Sequence, residues 1–431
     1  MQIALLLGLL LVLFLLGFAV TYSLGITAVI YMLIFFGNNF SLQMVAQKTV
    51  GGFGTFTLVA IPFFLLAGKL MNCGSITNRI FKLCNAVVGW IPGGLGHANI
   101  LASVVFAGMS GSAVADAAGL GTIEIRAMKD EGFDVDFAAA VTAASSTIGP
   151  IIPPSIPLIM YGVTVTASIS TLLMAGIVPG VLMAITMAVL VYAISKKRNY
   201  PCRKFPSLKE FWKLFKEGFL ALMTPVILIG GILTGVFTAT EASVVAVLYA
   251  LLLICVIYRE VSFKDVMNVL VETVYESAAV MLVVGASTLF GYLVTRLQIP
   301  RLVADIVLDV CDTRVAFLLL VNLMLLIVGC FMETNAAILI LAPILLPVAQ
   351  SFGIGDIQFG IIMVLNLMIG LLTPPVGMVL YSTCNVAHIS FERMVKSVMP
   401  FYVPLFVVLL LVSFIPELST WFPAWIASVT G

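Results

Sequence analysis

The fold class this chain predicts is an all-α polytopic membrane protein built from inverted-topology repeats, and three observations predict it. Of its 431 residues, 62% are hydrophobic and only 10% charged, and mean hydropathy is +1.20, which excludes a soluble globular protein. A helix-breaking motif occurs twice within apolar surroundings. Ser145-Ser146-Thr147-Ile148-Gly149-Pro150-Ile151-Ile152-Pro153-Pro154 returns in outline as Ile369-Gly370-Leu371-Leu372-Thr373-Pro374-Pro375. Charge around the two copies also differs: Arg126 and Lys129 precede the first, whereas 351–358 holds no Lys or Arg. By the positive-inside rule the two approaches face opposite sides, as an inverted duplication requires.

The copies lie 221 positions apart (374 minus 153), and the echo extends outward. Asp134-Val135-Asp136-Phe137 precedes one and Asp356-Ile357-Gln358-Phe359 the other. Tyr161 and Ser168-Ile169-Ser170 follow the first, Tyr381 and His388-Ile389-Ser390 the second. Backbone groups freed by Pro-Pro survive at membrane depth only when buried in protein or lining a cavity. A duplicated Gly/Pro-interrupted segment therefore points to a binding site for a transported solute.

Taken in order, 1–50 reads as N-terminal scaffold spans. No Lys or Arg precedes the first apolar run, so it reads as a retained span rather than a secretory signal. A first repeat covers 51–195, with a re-entrant hairpin at about 137–165 whose arms are too short to cross. A basic loop at 196–218 reads as cytoplasmic. In it, Ser207-Leu208-Lys209-Glu210 has the form of a capping box. Leu208, Phe211, Trp212, Phe215 and Phe219 then make one aromatic helix face, suited either to the membrane interface or to the start of the next span. Scaffold spans occupy 219–275, and a second repeat covers 276–431 with a hairpin at about 358–386. This length allows about eleven transmembrane helices besides the two hairpins.

Each hairpin tip exposes carbonyl and hydroxyl oxygens suited to a hard cation such as Na⁺, and half-helix N–H groups suited to a carboxylate. The bland alternative, that the Pro pairs only kink core helices, is weakened by their repetition in register. Two small polar breaks would complete the tips, Gly108-Met109-Ser110-Gly111-Ser112-Ala113 and Gly329-Cys330-Phe331-Met332-Glu333-Thr334-Asn335-Ala336, again 221 apart at their first glycines (329 minus 108). Acids in apolar surroundings are Asp116, Glu241, Glu276 and Glu333. Glu241 follows Thr238-Ala239-Thr240 and reads as a helix-start residue, whereas Glu333 suits a site or a scaffold role equally. His97 and His388 read as buried hydrogen-bonded side chains.

The seven cysteines form no CxxC and read as core residues. No Walker A, HExxH or GxSxG motif occurs, so neither nucleotide hydrolysis nor an intramembrane enzyme is expected, and no catalytic residue is assigned. Net charge is +1, which gives no reason to expect nucleic acid. A purely structural membrane subunit would have no use for paired broken helices.

At these motifs the chain resembles the large (DctM-type) membrane subunit of tripartite ATP-independent periplasmic (TRAP) transporters. The likeness runs nearly end to end. It covers 61–68, Ser110-Gly111-Ser112-Ala113-Val114-Ala115-Asp116, 150–155, Phe237-Thr238-Ala239-Thr240-Glu241-Ala242, Phe359-Gly360 and 370–377. The family often has Pro where this chain has Ala239. The resemblance implies a multi-pass protein of the bacterial inner membrane, driven by a Na⁺ gradient. It would work with a small four-helix membrane subunit, not fused here, and a periplasmic binding protein that delivers an organic acid. It also implies an elevator-type transport domain moving against a scaffold. One Na⁺ site would use Ser110, Gly111, Ser112, Ser145, Ile148 and Pro150, and a second Gly329, Gly370, Thr373 and Val376. Substrate would lie near Pro153, Pro154, Ser155, Glu333, Thr334, Asn335, Pro374 and Pro375. Sialic acid, another sugar acid or a C4-dicarboxylate remain open as cargo, and a stand-alone ion-coupled anion carrier or antiporter is the runner-up.

Overall fold

Helices account for the regular structure, and no strand occurs among the described residues. The computed structural model describes residues 2–37 and 40–430, apart from the side chains at 15, 108–110, 429 and 430. The chain begins with α1 (Gln2–Leu15), α2 (Val20–Phe36), α3 (Leu42–Gly51), α4 (Ala60–Cys73) and α5 (Ile76–Val88). Then come α6 (Gly94–Ser110), α7 (Ala113–Ala118), α8 (Leu120–Asp130), α9 (Val135–Ser146), α10 (Ile156–Val165) and α11 (Ile169–Arg198). A middle section holds α12 (Leu208–Leu233), α13 (Ala239–Leu251), α14 (Phe263–Arg296) and α15 (Ile299–Val310). The last part comprises α16 (Arg314–Phe331), α17 (Thr334–Ser351), α18 (Asp356–Gly370), α19 (Met378–Ala387), α20 (Phe391–Phe414) and α21 (Glu417–Thr430).

Eight of the described helices are long and apolar enough to cross a membrane. Shorter apolar helices, among them Gln2–Phe14, Val20–Phe36 and Gly94–Ala107, fall below that length. The hairpin arms are shorter still. At 1.5 Å per residue, the 12 residues of α9 and the 10 of α10 each reach only part-way through a bilayer.

The duplication holds at the level of elements. α7 begins at 113 and α17 at 334; α9 begins at 135 and α18 at 356. Packing between the halves is reciprocal. α10 packs on α17 while α19 packs on α7, and α9 packs on α20 while α18 packs on α11. Such exchange of equivalent partners is what a pseudo-twofold relation between repeats produces. Tyr161 ties the halves further: its hydroxyl donates to the Asp356 carbonyl at 2.8 Å, and its ring fills the space that a Cβ on Gly360 would take.

The first hairpin is seated by missing side chains. A Cβ on Gly176 would fall 2.1 Å from the Ile151 carbonyl oxygen, and one on Gly180 would fall 2.3 Å from Ile152 Cγ1. Small residues four apart thus form a notch on α11 that lets the tip backbone approach closely.

Several expected boundaries shift. The limit at 218/219 falls inside α12 and that at 275/276 inside α14, because a change from amphipathic to apolar composition does not interrupt a helix. The aromatic stretch after Ser207 is therefore the start of a continuous 26-residue helix, with the Ser207 hydroxyl accepting from the Glu210 N–H. α4, placed by sequence in the first repeat, packs chiefly on α13 and α14. Lys69 joins it to α14 through Glu276 at 2.8 Å and Glu272 at 3.2 Å. Glu241 does sit at a helix start, reciprocally bonded with Thr238 in a capping box. His97 is buried and hydrogen-bonded to the Pro92 backbone, as expected, while its Nε2 has no partner among the described residues. His388 is exposed and left-handed (φ 54°), closing α19 instead of packing in the core.

Replacing Gly176 with Ala should push the first tip off α11, because the new Cβ meets backbone oxygen that cannot rotate away. We expect a loss of roughly 1–3 kcal/mol, read as a lower melting temperature. An unchanged melting temperature would mean that the tip does not rest in this notch.

Candidate functional site

The second tip is organised around two glycines. α16 and α18 meet at Gly329 and Gly370 so closely that a Cβ on Gly370 would lie 2.5 Å from Gly329 Cα, and one on Gly329 would lie 3.0 Å from Gly370 Cα. Two predicted members of one site are thus in backbone contact, which only glycine permits. The turn that follows is anchored to the break: the Gly377 N–H donates to the Cys330 carbonyl at 3.3 Å, and the Val379 N–H to that of Leu371 at 3.2 Å. Thr373 donates its hydroxyl to the Ile369 carbonyl at 2.8 Å, and its N–H to that of Gly370 at 2.8 Å. Its hydroxyl oxygen keeps acceptor capacity for a cation. Tyr402 braces this turn from α20, donating to the Leu372 carbonyl at 2.6 Å.

The first tip is assembled by the same logic with different chemistry. Gly111 is left-handed (φ 59°) and ends α6, and a Cβ there would meet the Pro154 carbonyl at 2.8 Å. Ser112 caps α7. The Ser145 hydroxyl donates to Asn99 Oδ1 at 2.6 Å and accepts from Ser103 at 3.1 Å, while Asn99 Nδ2 donates to Thr142 at 2.7 Å. The Ile148 carbonyl accepts from the N–H groups of Ile151 and Ile152, and the Pro150 carbonyl accepts from the Ser155 hydroxyl. The side chain of Ser110, part of the predicted set, lies outside the described residues.

Between the tips is a cavity of about 430 Å³. Of the predicted residues, Gly111, Ser112, Pro150, Glu333, Thr334 and Asn335 line it. Glu276 lines it as well, and no Lys or Arg does. Glu333 combines the two roles left open by sequence: it faces the cavity and also caps α17, accepting from the Ala336 N–H at 2.9 Å and Asn335 Nδ2 at 2.7 Å. Ser145 and Ile148 sit beneath the surface, fully buried.

Pro153, Pro154 and Ser155 do not line this cavity. They are buried because the tip is pressed between Gly111 and α11, and Ser155 uses its hydroxyl within the tip, donating to Pro150 and accepting from the Leu158 N–H. Pro374 and Pro375 lie outside the lining too. They belong to a more open tip, with Pro375 and Val376 exposed.

Sequence reasoning missed the polar residues behind the tips. Asn99, Ser103 and Thr142 support the first. Behind the second, Asn322 Nδ2 donates to Ser413 at 3.0 Å, and Asn366 Nδ2 donates to Asn322 Oδ1. Asn99 and Asn322 occupy matching helices, α6 and α16, but stand 223 apart (322 minus 99), outside the 221 register of the motifs, so the repeat did not point to them.

Comparison with known proteins now decides the family. Residues 7–418 match the model of the DctM component of tripartite ATP-independent periplasmic transporters. The chain belongs to this family. It is a large membrane subunit of that type, a multi-pass protein of the bacterial inner membrane. The sialic acid TRAP transporter large permease protein SiaM of Vibrio cholerae is 46% identical over 94% of this chain and 95% of its own length. The 2,3-diketo-L-gulonate TRAP transporter large permease protein YiaN of Escherichia coli is 39% identical, covering 90% and 91% respectively. Among solved structures, the YdaH transporter of Alcanivorax borkumensis shares the fold, with a TM-score of 0.65 at 13% identity over 90% of this chain and 89% of that one.

Gly370→Ala tests the close approach directly. The added methyl group must separate α16 from α18, and we expect loss of transport with the chain still inserted, read by uptake together with size-exclusion behaviour. Normal uptake by this variant would show that the contact is not needed.

Proposed function

We propose that this subunit carries out Na⁺-coupled uptake of an organic acid, with one Na⁺ at each hairpin tip and the acid in the cavity between them. The observation that carries this reading is the charge of the cavity. Its lining includes the carboxylates of Glu276 and Glu333 but no basic residue, and Lys69 is already paired with Glu276. An anion entering such a space gains from cations bound close by, and the tips offer carbonyl and hydroxyl oxygens for a hard monovalent ion. Ser112, Ser145, Ile148 and Pro150 would serve the first, with Ser110 and Gly111; Gly329, Gly370, Thr373 and Val376 would serve the second. Thr334 and Asn335, at the start of α17, are suited to holding the acid.

Without an Arg fork in the cavity, selectivity falls to a partner. We assign it to a periplasmic binding protein, acting with a small four-helix membrane subunit, and the seated hairpins to a body that moves as an elevator against the α4–α13–α14 scaffold. The names of the relatives make sialic acid the first cargo to test, followed by other sugar acids and C4-dicarboxylates.

In proteoliposomes containing both membrane subunits and loaded binding protein, uptake should require a Na⁺ gradient. Undiminished uptake with a proton gradient alone would overturn the coupling.

Thr373→Val removes one oxygen at nearly constant shape. We expect assembly and melting temperature to hold, while the Na⁺ concentration for half-maximal uptake rises roughly tenfold, as for losing about 1.4 kcal/mol of ion binding. A lower melting temperature with an unmoved Na⁺ response would reduce Thr373 to its bond with Ile369.

A further inference from the structure

Asp116 and Glu124 take no part in the arrangement described so far. Asp116 on α7 is 2% exposed, and neither of its carboxylate oxygens has a hydrogen-bond partner among the described residues. Glu124 on α8 is 1% exposed, and its Oε1 is likewise unpartnered. Between them, Gly121 packs so tightly that a Cβ would lie 2.7 Å from Thr142 Cγ2, which seats this turn against α9 beneath the first tip. Ser103 on α6 lies beside Asp116 but directs its proton to Ser145.

No basic group balances these acids. α6 carries His97 as its one titratable side chain, α9 only Asp136 near its start, and α19 only Tyr381 and Cys384. α5 contributes Arg79, Lys82 and Cys84, of which Arg79 is paired with Glu260 at 2.8 Å, Lys82 is exposed and Cys84 lies toward Glu124. On α8 itself, Arg126, Lys129 and Asp130 are exposed. An ionised carboxylate buried without donor or counter-charge is strongly unfavourable.

Packing does not call for the pair. With the backbone offset of 221 that relates Ser112 to Glu333 and left-handed Gly132 to left-handed Gly353, Asp116 and Glu124 correspond to Ala337 and Leu345, 0% and 4% exposed. The second repeat builds the same architecture without acids.

We propose that Asp116 and Glu124 form a monovalent-cation site, holding a proton or a sodium ion in the first repeat and connected through Ser103 to Ser145. This site is additional to the two tips, and rests on the Na⁺-coupled reading only for that connection. The bound cation offsets one of the two negative charges, lets the carboxyl groups share it, and settles which way the Ser103 hydroxyl points. It thereby sets the hydrogen bonding available to Ser145 at the first tip.

The purified full chain serves for the test, with Asp116→Asn, Glu124→Gln and the double variant Asp116→Ala/Glu124→Leu, which supplies the residues of the second repeat. Melting is followed from mildly acid to mildly alkaline pH, in choline chloride and in sodium chloride, and bound radioactive sodium is counted per chain. A proton held only in the folded state lowers the folded-to-unfolded ratio by about tenfold for each pH unit of increase, in choline, and the double variant loses that slope. A sodium ion at this site appears instead as a count that drops by one per chain in the double variant. If the double variant does not fold, the nearly isosteric Asp116→Asn decides by the same two readings. A variant that keeps both the wild-type pH slope and the wild-type count overturns the proposal. Failure of the coupling reading looks different: the wild type would bind no sodium at the tips, while the pH slope persists.

Discussion

A chain that stops being helical at membrane depth must find partners for the backbone groups it frees, and lipid offers none. This requirement explains the way the two hairpins are held. At the second tip the solution is contact between main chains, with Gly329 against Gly370 and the Gly377 N–H on the Cys330 carbonyl. At the first it is a hydroxyl, Ser155, turned onto the Pro150 carbonyl while the notch of Gly176 and Gly180 receives the turn. Behind each tip an asparagine on the preceding long helix, Asn99 or Asn322, meets the first arm of the hairpin. These side-chain bonds between the preceding helix and the first arm fix each arm in one register.

The two halves have solved one problem twice with unequal results. The first tip is enclosed, and the second leaves Pro375 and Val376 exposed. A break capped by Ser112 in one half is capped by Glu333 in the other. Those substitutions give one of the two breaks a capping carboxylate that the other lacks, so the duplicated frame carries an asymmetric electrostatic surface. Hairpin geometry can therefore be kept while ion and solute preferences diverge.

Much of the frame was legible because glycine and proline punctuate a sequence strongly. The two breaks, the two Pro-Pro tips and the capped start at Thr238 and Glu241 all follow from residues with narrow conformational meaning. The path of α12 and α14 was harder to read. A shift from a charged to an apolar surface changes what a helix faces but not whether it continues, so two boundaries were drawn inside unbroken helices. His388 misled because an uncommon side chain in an apolar run suggests a buried role, while the backbone needed a left-handed residue to close α19. Asn99, Ser103 and Asn366 remained hidden since a lone polar residue on an apolar helix does not reveal its partner on another.

Reciprocal packing also sets a timetable for synthesis. The first hairpin is complete at Val165, yet α17 and α20, which cover it, begin only at Thr334 and Phe391. At about 5–20 residues per second, the nascent chain waits roughly ten seconds or more before the earliest of these covers exists. During that interval the arms of the first hairpin are too short to cross the bilayer and have only part of their packing, chiefly that which α6, α8 and α11 supply. They must be sheltered by the insertion machinery or by water at the membrane surface. Biogenesis of this subunit is consequently a late closure, in which the end of the chain completes what its beginning has left open.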